Sequence, residues 1–476
     1  MSLRNSFLGK RSYQYLAAIT GTMSVISFGM NGSWTSPYVP QLLSDTSKIP
    51  MNSDEAAWCA IAHLCGCPFG ALAAAYLTDR IGRKYTLLSM APMVFFSQIG
   101  IGYVTNVWHL FVLKMIIGVA DGGCFTVVPM YIGEISSPDI RGFLSSLVCL
   151  FYILGVLLMN TLGFYCSILT SSIISASIPA AHFLGFVFMP ESPYYYIKVK
   201  KYHQAERSLM ILRGESNVAK EVEVLKQAVK MQEEMVERPK FTDLFTVPSN
   251  RKAAFIFVIL CTANKASAKA PLMSYTRYIF EETGSSISPA FSTILYCLVE
   301  LLVVMFTTYF IIDRFGKRFL AIISSVGCSV TLFIMGLYFY LKDYHSDVIQ
   351  QLNWLPLTNL IVNNVLFSIG ISFTHMCYLS ELFPTNVKAN ALCFAEILAV
   401  AQSAVTTKGF QMLNDRCGTL SISFFSAAVI GCIVLGFIVK YVPETKGKTL
   451  EEIQLFLMEK EDIKLGSGES LTQLGE

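Results

Sequence analysis

Charged side chains occur inside stretches that are otherwise apolar enough to cross a membrane, among them Asp121, Lys265, Lys269, Glu300 and Glu396. A charge held at mid-membrane depth costs roughly 3 kcal/mol, so each group should face an opposite charge or a water-filled cavity. Lys265 and Lys269 lie four residues apart and therefore on one face of a helix. Two interpretations stay open: the lysines form structural ion pairs with Glu300 and Glu396, or they bind a polar or charged solute.

The sequence offers no residues arranged for covalent chemistry. It contains no nucleotide-binding loop, no cluster with metal-ligand spacing and no pairing of nucleophile with base, so we expect a non-enzymatic protein without cofactor or metal. Most of the 13 cysteines lie inside apolar stretches, which is typical of small buried side chains. The net charge of +3 comes from cations in loops and does not indicate a nucleic-acid partner.

A second set of polar residues occurs twice in the same order. A charged motif with a glycine occurs at 79–84 and again at 313–318. An acid stands seven residues before a base at 134–141 and at 381–388. A proline–glutamate pair occurs at 190–191 and at 443–444. The offsets of 234, 247 and 253 residues (79 to 313, 134 to 381, 190 to 443) indicate a duplicated unit whose halves share one orientation, as in transporters. The candidate gate residues are Asp79, Arg80, Arg83, Glu134, Arg141, Glu191, Asp313, Arg314, Lys317, Glu381, Lys388 and Glu444.

These motifs place acids beside bases at the ends of apolar stretches. Ion pairs can form there when two halves of a carrier close, and the same groups become hydrated when the halves part. We expect Glu134 and Arg141 to lie within ion-pairing reach of each other or of Glu191, and Glu381 and Lys388 to behave likewise with Glu444. An exposed pair contributes only about 0–1 kcal/mol, so gating requires a network. The alternative is that the cations only determine membrane topology.

The composition that surrounds these residues is that of a protein with many membrane spans. Hydrophobic residues make up 53% of the chain and charged residues 14%, whereas a soluble domain carries about 25% charged residues. A span needs about 20 apolar residues. The predicted spans are 13–33, 56–77, 85–104, 109–132, 143–165, 170–189, 253–275, 288–311, 319–341, 355–379, 389–411 and 419–442.

The cations are concentrated in the loops on the side of the N-terminus, and twelve spans place both termini on that side. Because Lys and Arg are retained inside, we expect both termini to be cytoplasmic. The predicted regions are an N-terminal six-helix bundle over 1–190, a cytoplasmic helical linker over 191–252, a C-terminal six-helix bundle over 253–445 and a cytoplasmic tail over 446–476. The lipid bilayer is the expected surrounding.

The duplicated motifs, together with 129–134 and 443–447, resemble those of the sugar porter family of the major facilitator superfamily, and within it the insect facilitative trehalose or glucose carriers. The resemblance implies an all-α membrane fold of twelve helices in two six-helix bundles and alternating access to a central hexose or disaccharide site. It also implies location in the plasma membrane. The proton-coupled members of that family carry an Asp in their first span. The first predicted span here has no carboxylate, so the resemblance implies facilitated diffusion rather than proton coupling.

The sugar-contacting positions of that family carry different residues here. Its glutamines fall on Cys149, Asn264 and Lys265, an asparagine falls on Leu301 beside Glu300, and a tryptophan falls on Met376. The family's Asn-Trp pair in the eleventh span falls on Ala399 and Val400, three residues beyond Glu396. These residues are the candidate substrate site. The resemblance favours a sugar carrier; the alternatives are a carrier of a non-sugar polar or anionic solute and a non-transporting sensor.

Overall fold

The structure is a computed structural model that describes residues 11–44, 49–215, 217–234, 241–283, 287–310, 316–344, 352–383 and 387–445. It does not describe the side chains of a few residues within these ranges, including Met376, Glu381 and Lys388. The predicted gate residues Asp313 and Arg314 and the predicted tail over 446–476 lie outside the described residues.

The first half of the chain folds into long helices that alternate in direction. Its elements are α1 (Ser12–Ser33), α2 (Thr35–Leu42), α3 (Ser53–Arg80), α4 (Arg83–Tyr103), α5 (Val107–Ile135), α6 (Pro138–Tyr165) and α7 (Ile168–Phe186). Four shorter helices follow: α8 (Pro193–Lys198), α9 (Tyr202–Arg213), α10 (Ala219–Glu234) and α11 (Asp243–Thr246).

The second half repeats the pattern of long helices, with two crossings broken into pairs. Its elements are α12 (Pro248–Ala266), α13 (Lys269–Thr283), α14 (Pro289–Phe310), α15 (Lys317–Tyr344), α16 (Leu355–Ile369), α17 (Ile371–Leu382), α18 (Lys388–Cys417) and α19 (Leu420–Tyr441). The break between α12 and α13 falls at Ser267 and Ala268, and Ala268 adopts a positive φ of 59°. The break between α16 and α17 falls at Gly370.

The described helices make twelve crossings, which confirms the predicted all-α fold of two six-helix bundles. Ten segments are long and apolar enough to cross a membrane on composition alone, and one of them is the broken pair α12–α13. The other two crossings are α1 and the broken pair α16–α17. In α1, polar side chains including Gln14, Thr22 and Asn31 are buried against the rest of the first bundle.

Each bundle has its own apolar core. In the first, Leu87, Val127 and Phe186 are fully buried together, and in the second Phe257 and Phe383 are buried. A third buried cluster joins the halves and includes Ala60 and Val156 of the first half and Leu272, Phe280 and Phe424 of the second.

Small residues bring α3 and α5 into close contact. A Cβ atom added at Gly118 would overlap the carbonyl oxygen of His63, and one added at Gly70 would overlap that of Val119. Close approach of backbones over glycines is a common means of packing membrane helices. This contact sets His63 of α3 beside Asp121 of α5.

The short helices pack on one end of the first bundle. Gln14 Nε2 donates to the carbonyl of Leu212 at 3.0 Å, and Arg213 Nη1 donates to that of Ile135 at 2.8 Å. We call this end of the molecule, which holds α8–α11 and the turn at Gly82, the linker side. The other end, which holds Asn52 and Gly418, is the opposite side.

Candidate functional site

A buried ion pair anchors the linker side of the first half. Arg83 begins α4, and its side chain is only 4% exposed. Its Nη2 donates to Glu134 Oε1 at 2.8 Å and its Nε donates to the same oxygen at 3.1 Å. Ser192 donates to the other oxygen of Glu134. Glu134 of α5 therefore holds the start of α4 and the segment before α8 together.

Glu191 caps the N-terminus of α4 from outside that helix. It accepts from the backbone N–H groups of Arg83, at 3.0 Å, and Lys84, at 3.1 and 3.0 Å. A carboxylate is favourable here because the first N–H groups of a helix lack intrahelical acceptors. Burial raises the pKa of Glu191, while the N–H groups of Ser192, Lys84 and Arg83 act to lower it. Gly82, at φ +94°, is required because a Cβ would overlap the Glu191 carboxylate.

The second half repeats this cap. Glu444 accepts from the N–H of Lys317 at 3.1 Å and of Arg318 at 3.2 Å, at the start of α15. Tyrosine hydroxyls support both caps: Tyr131 donates to the carbonyl of Pro190 at 2.6 Å, and Tyr378 donates to that of Pro443 at 2.5 Å. The repeated contacts lie on the same side of the molecule, as the duplicated motifs predict.

Other predicted gate residues are placed differently from our expectation. The structure does not bring Arg141 to Glu134 or to Glu191; Arg141 is exposed near the start of α6, whereas Arg83 occupies the carboxylate of Glu134. Asp79 is exposed and forms an ion pair with Lys198 of α8 at 2.8 Å.

The remaining gate candidates are only partly located. Arg80 is exposed with its guanidinium 5.0 Å from the ring centre of Tyr76. Glu381 lies near the end of α17 and Lys388 begins α18, but the side chains of both are outside the description. Their expected pairing stays a prediction.

At the centre of the second half, Lys269 is held in a closed polar cluster. Its Nζ lies 2.6 Å from Glu300 Oε1, and it donates to Asn364 Oδ1 at 3.1 Å and to the Tyr296 hydroxyl at 3.4 Å. Glu300, Tyr296 and Asn364 are all buried. Its ring neighbours are Tyr296 and Phe367, with centres 5.2 and 5.6 Å from Nζ. Glu300 therefore has a lysine partner, and that partner is Lys269 rather than Lys265.

Lys265 and Glu396 are arranged differently. Both side chains are half-buried, on α12 and α18, and they lie more than 4 Å apart although their charges interact. Asn264 Nδ2 lies 3.5 Å from His375 Nδ1, which places the predicted position Asn264 against α17.

The first half faces these charges with side chains from α3 and α6. Cys149 of α6 is exposed although it lies mid-helix, and Asn160 of the same helix donates to Cys297 Sγ of α14 at 3.8 Å. The Tyr152 hydroxyl of α6 donates to Met273 Sδ of α13 at 3.1 Å, and Ala60 of α3 belongs to the buried cluster that joins the halves. Both halves therefore contribute to one central region.

The last two predicted substrate-site residues, Leu301 and Met376, have apolar side chains. Leu301 is half-buried on α14, next to Glu300, and brings no polar atom. Met376 lies on α17, and the structure does not describe its side chain. Among the described residues, no group of three or more His, Cys, Asp or Glu side chains could hold a metal ion.

The first half contains a buried polar cluster that sequence reasoning only partly identified. Asp121 Oδ2 accepts from Asn31 Nδ2 at 2.7 Å and lies 3.1 Å from His63 Nε2, and Gln98 donates to Asn31. Asp121 was recognisable as a charge within a span. Asn31 and Gln98 carried no such signal, because neutral amides are common in membrane helices. Lys114 lies nearby, with its Nζ 4.4 Å from the ring centre of Trp34.

On the opposite side, polar contacts join the two halves. Lys408 of α18 forms an ion pair with Asp54 of α3, and Ser53 Oγ donates to Asp415 at 2.9 Å. Arg277 of α13 donates to the carbonyl of Pro37 at 3.3 Å. Among the described residues, the hydrogen bonds between the halves lie in the middle or on the opposite side, and none joins the halves on the linker side. This is a carrier conformation closed on the opposite side.

These features define a membrane carrier of two similar bundles with a polar centre. Residues 14–457 match the family described as Sugar (and other) transporter, and the chain belongs to this family. It is 30% identical over 448 residues to the facilitated trehalose transporter Tret1 of Bombyx mori, covering 93% of this chain and 86% of the relative. Identity to Tret1 of Apis mellifera ligustica is 28% over 443 residues, covering 93% and 87%.

Solved structures give the same fold. The proton:xylose symporter XylE bound to 6-bromo-6-deoxy-D-glucose superposes with a TM-score of 0.76 at 22% identity, covering 94% of this chain and all of that one. The inward-open xylose transporter XylE from E. coli also gives 0.76, at 21% identity, covering 93% and 99%. By its family match, the chain is a multi-pass membrane carrier of the sugar transporter type, and not an enzyme.

Proposed function

We propose that the protein carries a neutral sugar, a hexose or trehalose, across the plasma membrane by facilitated diffusion. The sugar would bind between the two bundles and be released on either side by alternating access. The relatives named as facilitated trehalose transporters support this substrate class.

The balance of charge at the centre carries the proposal. Lys269 is neutralised by Glu300 at 2.6 Å, and Lys265 has Glu396 as a nearby opposite charge. The four charges therefore sum to zero when all are ionised. An anionic or cationic solute would bring an uncompensated charge into this region, and burying an unpaired charge is costly. The arrangement favours a neutral solute that can form hydrogen bonds, and it disfavours the anionic alternative.

The conformation supports access from the linker side. The opposite side is joined across the halves at Asp54 and Lys408 and at Ser53 and Asp415. A solute would then reach the centre from the linker side. We take that side to be cytoplasmic because Arg80, Lys84 and Arg318 are concentrated there, in keeping with the retention of cations inside.

The test is uptake of radiolabelled sugars into proteoliposomes that contain the purified protein. We expect saturable uptake of trehalose or glucose that is accelerated by the same sugar inside the vesicle and needs no proton gradient. A panel of small anions of similar size serves as the comparison. Transport of an anion with no uptake of any sugar would contradict the proposal, and so would binding of a sugar without exchange.

A further inference from the structure

A patch of cationic side chains lies on the linker side of the first half, and we call it the basic rim. Its members, all exposed or partly exposed, are Arg80, Lys84, Lys198, Lys200 and Lys201. Lys198 Nζ lies 2.8 Å from Asp79 Oδ1, and the Tyr195 hydroxyl donates to the carbonyl of Arg80 at 2.9 Å. These two contacts hold α8 against the end of α3, so the cations of both segments lie on one side of the molecule.

The basic rim carries more positive charge than the carboxylates around it neutralise. Among the described residues, Asp79 pairs with a rim cation, and Glu134 and Glu191 contact the buried Arg83 beneath the rim. The five rim cations and Arg83 make six positive charges against three carboxylates, an excess of three. The side chains of Lys200 and Lys201 have no hydrogen bond or ion pair within the described part of the chain.

Exposed aromatic rings place this charge at the level of lipid head groups. Tyr76 is 61% exposed although it lies within an apolar helix, and the guanidinium of Arg80 is 5.0 Å from its ring centre. Lys84 Nζ is 5.7 Å from the ring centre of Tyr85, which is also exposed. Tyrosine rings are enriched at the membrane interface because the ring contacts acyl chains while the hydroxyl contacts water. The cations beside these rings therefore lie at the depth of the phosphate groups.

The backbone at Lys200 points independently to a use for its charge. Lys200 has a φ of +61°, its N–H donates to the carbonyl of Ile197 at 2.9 Å, and the N–H of Lys201 donates to that of Tyr196 at 2.8 Å. This is a Schellman ending of α8, at a position where glycine is favoured because a Cβ is strained there. A strained position that carries an exposed cation instead of glycine suggests that the side chain has a function.

We propose that the basic rim is a docking surface for anionic phospholipids of the leaflet on the linker side. The lipid phosphates accept hydrogen bonds from Lys84, Lys200 and Lys201, and the acyl chains lie against Tyr76 and Tyr85. Charge complementarity selects this partner, because the excess positive charge lies at head-group depth. The inference goes beyond the proposed function, since it does not depend on which solute is carried.

The test is native mass spectrometry of the full chain with added phosphatidylserine, which resolves individual bound lipids. Lys200→Gln with Lys201→Gln removes two cations, each contributing about fivefold to binding at an anionic membrane surface, so we expect the Kd of the tightest-bound phosphatidylserine to rise about 25-fold. Lys342→Gln with Arg416→Gln, on the opposite side, is the charge-matched control and should leave this Kd unchanged.

Lys200→Gly separates the charge from the backbone. It removes one cation and relieves the strain of the positive φ, so we expect the Kd to rise about fivefold while the midpoint of thermal unfolding stays the same or increases. An unchanged Kd in Lys200→Gly and in the double glutamine variant overturns the proposal.

Two further ligands establish where the bound phosphate comes from. Glycerophosphoserine has the same head group without acyl chains and should bind much more weakly, because it lacks the apolar contact. Phosphatidylcholine, which has no net charge, should bind the wild type and the double glutamine variant equally. Binding of glycerophosphoserine as tight as that of phosphatidylserine would indicate a site for soluble phosphates and would overturn lipid docking. A Kd for phosphatidylserine that high salt does not raise would also overturn it, because exposed charges are screened by salt.

Discussion

Two lysines four residues apart have different surroundings at the centre of the carrier. Lys269 forms an ion pair with Glu300, whereas Lys265 does not. The positive φ of Ala268 ends α12 between the two lysines and starts α13 in a new direction. Lys269 thereby reaches Glu300, whereas Lys265 stays half-buried on α12.

The paired charges lead to a prediction on stability. Lys269→Gln leaves Glu300 buried without its cation and should destabilise the protein by about 3–5 kcal/mol, whereas the double change Lys269→Gln with Glu300→Gln should recover most of that loss. Thermal unfolding of the purified protein in detergent measures the difference. Lys265→Gln is the matched control, and we expect it to unfold close to the wild type. A double variant no more stable than the single one would show that the pair is not the source of the effect.

At the scale of elements, the sequence predicts most crossings because ten segments are long and apolar enough to be recognised from composition. It does not predict the interruptions at Ala268 and Gly370, which depend on contacts from other helices. The linker-side motifs were recognisable as a repeat, but their contacts were not: Arg83 is buried on Glu134, and Arg141 is exposed. The predicted division at 190 and 252 stays a prediction.

The contact between α3 and α5 depends on glycine. Gly118→Val should destabilise the protein and lower its yield, because a side chain there overlaps the carbonyl of His63 and separates His63 from Asp121. Overpacking a tight contact typically costs about 1–3 kcal/mol or more. The yield of monodisperse protein on size exclusion measures the outcome. Gly409→Ala is the control, because its Cβ would meet nothing within 4 Å; equal yields for both variants would refute the close-contact argument.

The capping glutamates should act as equivalents in the two halves. Glu191→Ala removes an acceptor from the first N–H groups of α4, and Glu444→Ala does the same for α15. Loss of a helix cap costs about 1 kcal/mol, so we expect faster amide hydrogen exchange at 83–86 and at 317–320 respectively. Each variant is the control for the other half. Exchange that is unchanged at the matching helix start would contradict the capping role.

At the scale of the whole molecule, the duplication was predictable because the motifs recur at nearly constant offsets. Which side of the molecule is closed was not predictable, because it depends on ion pairs such as Asp54 with Lys408, whose residues are not part of the repeated motifs. The linker side and the opposite side must open in turn if the protein is an alternating-access carrier. The contacts across the halves on the opposite side would then break as the linker side closes.

The central claim is tested most directly by measuring distances on both sides in one preparation. Spin labels are introduced as non-canonical amino acids, because the 13 cysteines hinder selective thiol labelling. One pair replaces His109 and Trp354 on the opposite side, and the other replaces Arg141 and Leu392 on the linker side. Lys408→Glu, which removes the ion pair with Asp54, is compared with the wild type.

We predict two populations whose distances change in opposite senses. Saturating transported sugar, and more strongly Lys408→Glu, should increase the population with a long 109–354 distance and a short 141–392 distance. Distances that lengthen or shorten together on both sides, or that stay fixed in sugar and in the variant, would contradict alternating access.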